Sequence, residues 1–290
     1  MSDYFKTKVF SHTKSDFNIN SLPLTRRELY KKIFFTRFGK LFQVNVLCFI
    51  FFLPLILWSL FTSIFKTSLT SVGDVVNFII TIKSPLVILF TMLAFIGLAG
   101  GIYYIRKLSW GEPVSLFRTF FTGVKQSYKQ FLFFGFIGSF FVVLFDLAIS
   151  MMIFSKLSYL DNLLFIALLN LAAILLFSIG SYAVTLSSLY MMKMTTIIKT
   201  SIAFTIKKLL NNVLLVLITY MFILFWFLIG IIYLYFLGIV LVGLLGLSYT
   251  ILTWVLYTNS SYDVYINIKQ YPAIYRKGLR PLMKEGAPRA

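Results

Sequence analysis

Acidic residues are scarce in this sequence: nine Asp and Glu stand against 27 Lys and Arg, and charged residues of both signs make up only 12% of the 290-residue chain. So little charge beside 59% hydrophobic residues, with 33 Phe and 17 Tyr, excludes a water-soluble fold, which could not hide that much apolar surface. Cysteine and histidine occur once each, at Cys48 and His12. An intrachain disulfide is therefore excluded, and no metal-ligand spacing, HExxH, CxxC or GxxxxGK[ST] pattern is present. No cofactor, metal or catalytic residue is expected. An intramembrane aspartyl protease would need a second membrane aspartate beside Asp146, which is absent. The first 40 or so residues hold no short apolar core followed by a small-residue cleavage site, so no cleaved signal peptide is expected.

What the chain has in abundance is long apolar runs. About 20 apolar residues cross about 30 Å of hydrocarbon as a helix, and runs of that order fall at 46–65, 84–105, 131–154, 160–182, 213–235 and 237–257. The uncharged stretch from Val213 to Tyr257 is long enough to cross twice and should fold back between Gly230 and Gly238. The expected fold class is an all-α membrane protein of about six transmembrane helices arranged as three hairpins. Within it, 1–23 forms a polar segment, 24–258 the membrane domain, and 259–290 a basic tail that begins at the interface and frays.

The formal charge of +18 would suggest a nucleic-acid partner in a soluble protein, but its placement points to the bilayer. Of the Lys and Arg, 24 fall before the first span, in the even-numbered connections and after the last span, against only Lys66, Lys83 and Lys156 on the opposite side. Positive charge is retained in the cytoplasm, so both ends of the chain are expected there, with the lipid bilayer itself as the first partner.

Each pair of spans follows a basic segment with apolar residues at helical spacing. The first runs from Arg26 through Leu29, Ile33 and Phe34 to Lys40. The second sets Phe117, Phe120, Phe121 and Val124 opposite Arg118, Lys125 and Lys129, after Pro113 at a helix start. The third sets Ile197, Ile202, Ile206 and Leu209 opposite Lys199, Lys207 and Lys208. The second and third align without gaps at an offset of 82, pairing Lys125 with Lys207 and Gln130 with Asn212. Two readings are open: three copies of one unit, at 24–107, 109–190 and 191–258, each an interfacial helix and a hairpin, or the lead-in that any hairpin starting in the cytoplasm acquires. The basic residues of the second and third segments are expected to face lipid or a partner.

Two polar residues inside the spans stand out. Asp146 is either a structural carboxyl, protonated or hydrogen-bonded near the outer interface with Lys156 as one candidate ion partner, or a group handling a proton, ion or substrate, since a carboxylate in hydrocarbon costs at least about 2.5–3.5 kcal/mol. Asn170 either bonds between helices or lines a polar cavity. Gly97 and Gly101 form a GxxxG pair that lets another helix approach, and Pro54 is placed to kink the first span.

The stretch Gly97 to Phe134, with Arg106, Lys107, Leu108, Gly111, Glu112, Phe120, Phe121, Lys125, Lys129 and Gln130, resembles the signature region of the YesL family of bacterial membrane proteins. Asn45, Cys48, Leu53 and Pro54 are similar to that family's first span, although the segment between Pro54 and Gly97 is longer here and the Thr-x-Gly-Pro-Ala that often follows Leu-Pro is missing. The resemblance implies the same layout of spans in a bacterial plasma membrane and no assigned chemistry. It further implies a non-enzymatic accessory protein partnered by the permease subunits of a carbohydrate ABC importer, because the family commonly accompanies such importers in Gram-positive bacteria. The alternative is an independent small-solute channel or transporter, with Asp146 and Asn170 lining its route. Homo-oligomer formation is left open.

Overall fold

A computed structural model describes residues 22–66, 68–154, 159–190, 192–229 and 238–281. His12, Lys156 and the expected reversal between Gly230 and Gly238 lie outside the described residues, or nearly so for the last. The described chain is helical, with no strand. The order is α1 (Arg26–Thr36), α2 (Phe38–Lys66), α3 (Val72–Ser109), α4 (Leu116–Phe154), α5 (Tyr159–Leu189), α6 (Met194–Lys207), α7 (Leu209–Ile229) and α8 (Gly238–Gln270). Five of these, α2, α3, α4, α5 and α8, are long and apolar enough to cross a membrane, and α6 with α7 brings the number to six if that bent pair is one span. The 21 residues of α7 rise about 31 Å, comparable with the hydrocarbon core.

The helix α3 is central. It packs most extensively against α4, then α2, and also touches α1, α5 and α8. Half of its most apolar stretch is buried in the protein, against 6% for that of α5, whose Leu164, Leu168 and Leu171 point outward to where lipid would lie. Small residues allow this closeness. A Cβ on Gly97 would come 2.5 Å from Cβ of Phe51 on α2, and one on Gly101 would meet Cys48 Sγ at 2.5 Å. Cys48 is fully buried there, and its thiol donates to Gly97 O at 3.6 Å.

The connection expected at 66–83 is helical from Val72 onward. Ser71 caps this start by accepting from Asp74 N, and the helix passes through a π turn at Ile79–Lys83 into Ser84–Ser109. Two further π turns interrupt α8, at Val242–Gly246 and Asp263–Asn267. The first is satisfied from α2: Asn45, wholly buried, donates to Val242 O at 3.0 Å and Gly243 O at 2.5 Å and accepts from Ser248 N at 2.8 Å. A π turn frees backbone groups, and inside a membrane those groups need partners in the protein.

The three basic lead-ins, each expected as an interfacial helix running into a hairpin, join their spans differently. The first breaks at Arg37 (φ −124, ψ 27), the third at Lys208 (φ −119, ψ 31), where α6 and α7 meet at 94°. The second runs straight into its span, in the 39-residue α4. Its length is held against α3, where Gly123 and Gly135 would put a Cβ within 2.4 Å of Tyr103 Cβ and 2.8 Å of Met92 Cα. Pro54 lies inside α2, which runs unbroken from Phe38 to Lys66.

The tail departs from expectation. Residues 259–270 continue α8, and Asn259, Ser261, Tyr262, Asp263, Ile266 and Asn267 are buried. Tyr262 is held by Thr185 at 2.8 Å and donates to Tyr182 O at 3.1 Å, so α8 is bonded to α5 well past residue 258.

The α2–α3 contact predicts that Gly97→Ala lowers thermal stability in detergent by about 1–3 kcal/mol, as overpacking does. Gly39→Ala, with nothing within 4 Å of its new Cβ, should leave it unchanged or raise it by up to about 1 kcal/mol through helix propensity. Intrinsic Trp fluorescence during heating reads both.

Candidate functional site: an ion-paired span and a clasp at the basic end

Polar chemistry gathers at the two ends of the helix bundle. At the end where α2 finishes, Asp146 on α4 receives Lys83 Nζ at 2.8 Å and Lys66 Nζ at 3.6 Å. The Lys66 ammonium also donates to Ser150, whose hydroxyl donates to Asp146 O one turn earlier. Lys83 O accepts from the Trp58 indole at 3.2 Å. The cluster thus binds α2, α3 and α4 together. Asp146 keeps 23% of its side-chain surface accessible, and the two lysines leave one positive charge in excess over the carboxylate. Lys66 and Lys83 are thus both committed to one carboxylate.

At the other end, the last turn of α3 closes in a Schellman motif. Gly111 N donates to Leu108 O at 3.2 Å and Glu112 N to Lys107 O at 3.1 Å. This requires the left-handed φ of +75° that Gly111 adopts. The turn projects Glu112 toward Lys107 at 3.5 Å and Lys277 at 2.7 Å. The hydrogen bond from Lys277 holds the Glu112 carboxyl below the usual carboxylate range, against an opposing contribution from burial. Lys277 Nζ also lies 4.2 Å from the Trp110 ring centroid.

The segment 271–281 is pressed onto this turn. Gly278 has φ +86°, and a Cβ there would stand 2.3 Å from Ser109 O. Behind it, Arg26 of α1 pairs with Asp263 at 2.7 Å and donates to Lys277 O at 3.0 Å. Asp263 also accepts from Asn267 at 2.9 Å and from Arg276 N at 3.2 Å. Arg276 donates to Leu24 O, and Arg280 N to Pro23 O, both at 2.9 Å. Arg26 and Asp263 are nearly inaccessible, at 10% and 8%. The Lys107–Glu112 turn is therefore a seat for the segment 271–281.

The residues singled out in the sequence do not converge on one site. Asn170 donates to Ile166 O at 2.8 Å within α5 and shares no bonding partner with Asp146. Arg118, Lys125 and Lys129 are exposed on α4, Lys199 and Lys207 on α6, while Lys208 is half-buried and donates to Ser261 at 2.8 Å. Two shallow depressions accompany these basic helices, of about 400 Å³ at Arg118 and Lys125 and about 360 Å³ at Lys199 and Lys207. No group of three side chains able to ligate a metal occurs among the described residues.

Sequence reasoning missed the buried amide of Asn212, which accepts from Tyr257 at 2.9 Å and Tyr182 at 3.3 Å and donates to Thr205 O at 3.1 Å. It also missed Asn45 and the Arg26–Asp263 pair. The available signal was the position of Asn45 and Asn212 at the mouths of strongly apolar runs. Nothing in the sequence pairs Arg26 with Asp263.

Fold and geometry define the class: an all-α membrane protein with several apolar helices spanning the bilayer. No family model, no curated protein and no solved structure matches the chain.

Asp146→Asn leaves two ammonium groups without a counter-charge and should cost about 1–3 kcal/mol, less than a fully buried pair because the cluster is partly exposed. Replacing all three with Met and Leu should recover most of that loss, read as thermal stability in detergent. At the clasp, Glu112 has its pKa depressed when the tail is seated, so its stabilising contribution is complete above the ordinary carboxylate pKa and is lost as pH falls through the lowered value. Amide exchange of residues 271–281, corrected for intrinsic rates, should accelerate on acidification into that range. Glu112→Gln should exchange fast throughout and lose the dependence.

Proposed function

We propose that this protein is a non-enzymatic accessory subunit of a bacterial plasma membrane, which binds the permease subunits of a carbohydrate ABC importer and has both chain ends in the cytoplasm. The observation that carries this reading is the state of Asp146. The acid that a transport route would use is held by Lys66 and Lys83 as a brace between three helices, and Asn170 is spent within its own helix. What remains for function is surface: the outward apolar faces of α2, α4 and α5, and the exposed basic residues of α4 and α6. The resemblance of Gly97 to Phe134 to the YesL family supplies the class of partner, and the excess of Lys and Arg at one end of the bundle supports the orientation.

A second reading, an independent small-solute channel, rests on the 23% of Asp146 side-chain surface that remains accessible beside an excess positive charge. Affinity purification of the tagged protein from its native membrane in mild detergent, with mass spectrometry of what accompanies it, separates the two. Stoichiometric ABC permease subunits are expected, together with no sugar flux into liposomes containing this protein alone. Recovery of the protein alone with robust flux that Asp146→Asn alters overturns the accessory reading.

A further inference from the structure

The helix α6 meets α7 at 94°, so it lies along the membrane plane when α7 crosses. Ile197, Ser201, Phe204 and Thr205 are its buried side. Its opposite side exposes Lys199, Ile202, Ile206 and Lys207, and Leu210 follows just past the bend. Ile206 is 70% exposed and Leu210 80%. An exposed apolar ridge of this kind beside amines is unusual for a face that meets water alone, and it has the amphipathic pattern of a helix at the lipid headgroup boundary.

Against this helix Tyr265 of α8 closes a depression of about 360 Å³, lined by Lys199, Thr200, Ala203, Phe204, Lys207 and Tyr265. Lys207 Nζ sits 3.9 Å from the Tyr265 ring centroid, which draws its amine over the depression. No carboxylate lines the site among the described residues. Neither Lys199 nor Lys207 forms an ion pair among the described residues, and Asp263, two residues before Tyr265, is engaged by Arg26. The neighbouring Lys208 donates to Ser261, a neutral hydroxyl. Three amines thus share a corner that, among the described residues, holds no counter-charge free to meet them.

We propose that this depression binds the phosphate of an anionic phospholipid, with Lys199 and Lys207 as its counter-charges and the acyl chains laid along Ile202, Ile206 and Leu210. A phosphodiester brings one negative charge and two free oxygens to amines that act as point charges, and the Thr200 hydroxyl is placed to add a donor. The adjoining apolar ridge is what selects a lipid over free phosphate. Each amine near an anionic surface contributes about 1 kcal/mol, equivalent to about fivefold in affinity.

The test uses the full chain, delipidated in mild detergent and mixed separately with phosphatidylglycerol, phosphatidylcholine or inorganic phosphate, with bound lipid counted by native mass spectrometry. Phosphatidylglycerol should be retained and phosphatidylcholine should not, and excess inorganic phosphate should compete weakly. Lys199→Gln with Lys207→Gln should weaken retention about 25-fold, whereas Lys199→Arg with Lys207→Arg should keep it and show by its elution profile that the fold tolerates both positions. Lys40→Gln, on α2, is the control for general loss of charge. Equal retention of both lipids, or unchanged retention by the Gln pair, overturns the proposal. So does loss of a co-purifying protein from the Gln pair with lipid retention intact, which would make the depression a protein-docking site.

Discussion

A carboxylate, amide or backbone carbonyl carried into hydrocarbon has no water to bond, and most of the polar architecture here follows from that. Asn45 reaches from α2 to the π turn of α8 and engages two carbonyls and an amide there. Without it the extra residue of that turn would leave backbone groups unmatched at a cost of several kcal/mol each. Asp146 draws Lys66 and Lys83 to itself for the same reason, and in doing so fixes how three helices meet. The Asn212 amide collects two tyrosine hydroxyls and a carbonyl. Each of these groups finds its partners on other helices, so together they tie particular helix faces to one another.

Close approach is the second constraint. Helices in lipid gain nothing from hiding apolar surface against each other, so they associate through packing and hydrogen bonds. The small residues of α3 and α4 set the separations: Gly97 and Gly101 admit Phe51 and Cys48 of α2, and Gly123 and Gly135 admit Tyr103 and Met92 of α3. With α4 pressed along α3 in this way, a break like those at Arg37 and Lys208 would pull the two apart, which accounts for an unbroken second lead-in.

The start of α1 and the segment 271–281 that follows α8 are brought together at one end of the bundle. Arg26, Asp263, Arg276, Lys277 and Arg280 join the start of α1 to the segment after α8, and Gly111 and Gly278 are the positions where the backbone takes left-handed values to allow it. The Lys107–Glu112 turn finds its structural use here as the seat of that segment. Its residues therefore carry a packing explanation that does not depend on any reaction.

Apolar runs and the placement of Lys and Arg were enough to make the chain an all-α membrane protein with spans near the positions expected, because bilayer thickness translates directly into run length and needs no knowledge of neighbours. The amphipathic lead-ins were equally legible, being a matter of local periodicity. How each lead-in joins its span was not: the second and third align without a gap in sequence, yet the first and third share the break in structure. Nor could the sequence pair Asp146 with Lys66 and Lys83, which are far from it along the chain; Lys156, nearer in sequence, lies outside the described residues. The same limit hid Arg26 with Asp263 and the seating of 271–281. Partner choice among distant polar groups belongs to the tertiary structure, since it depends on which helix faces small residues allow to meet.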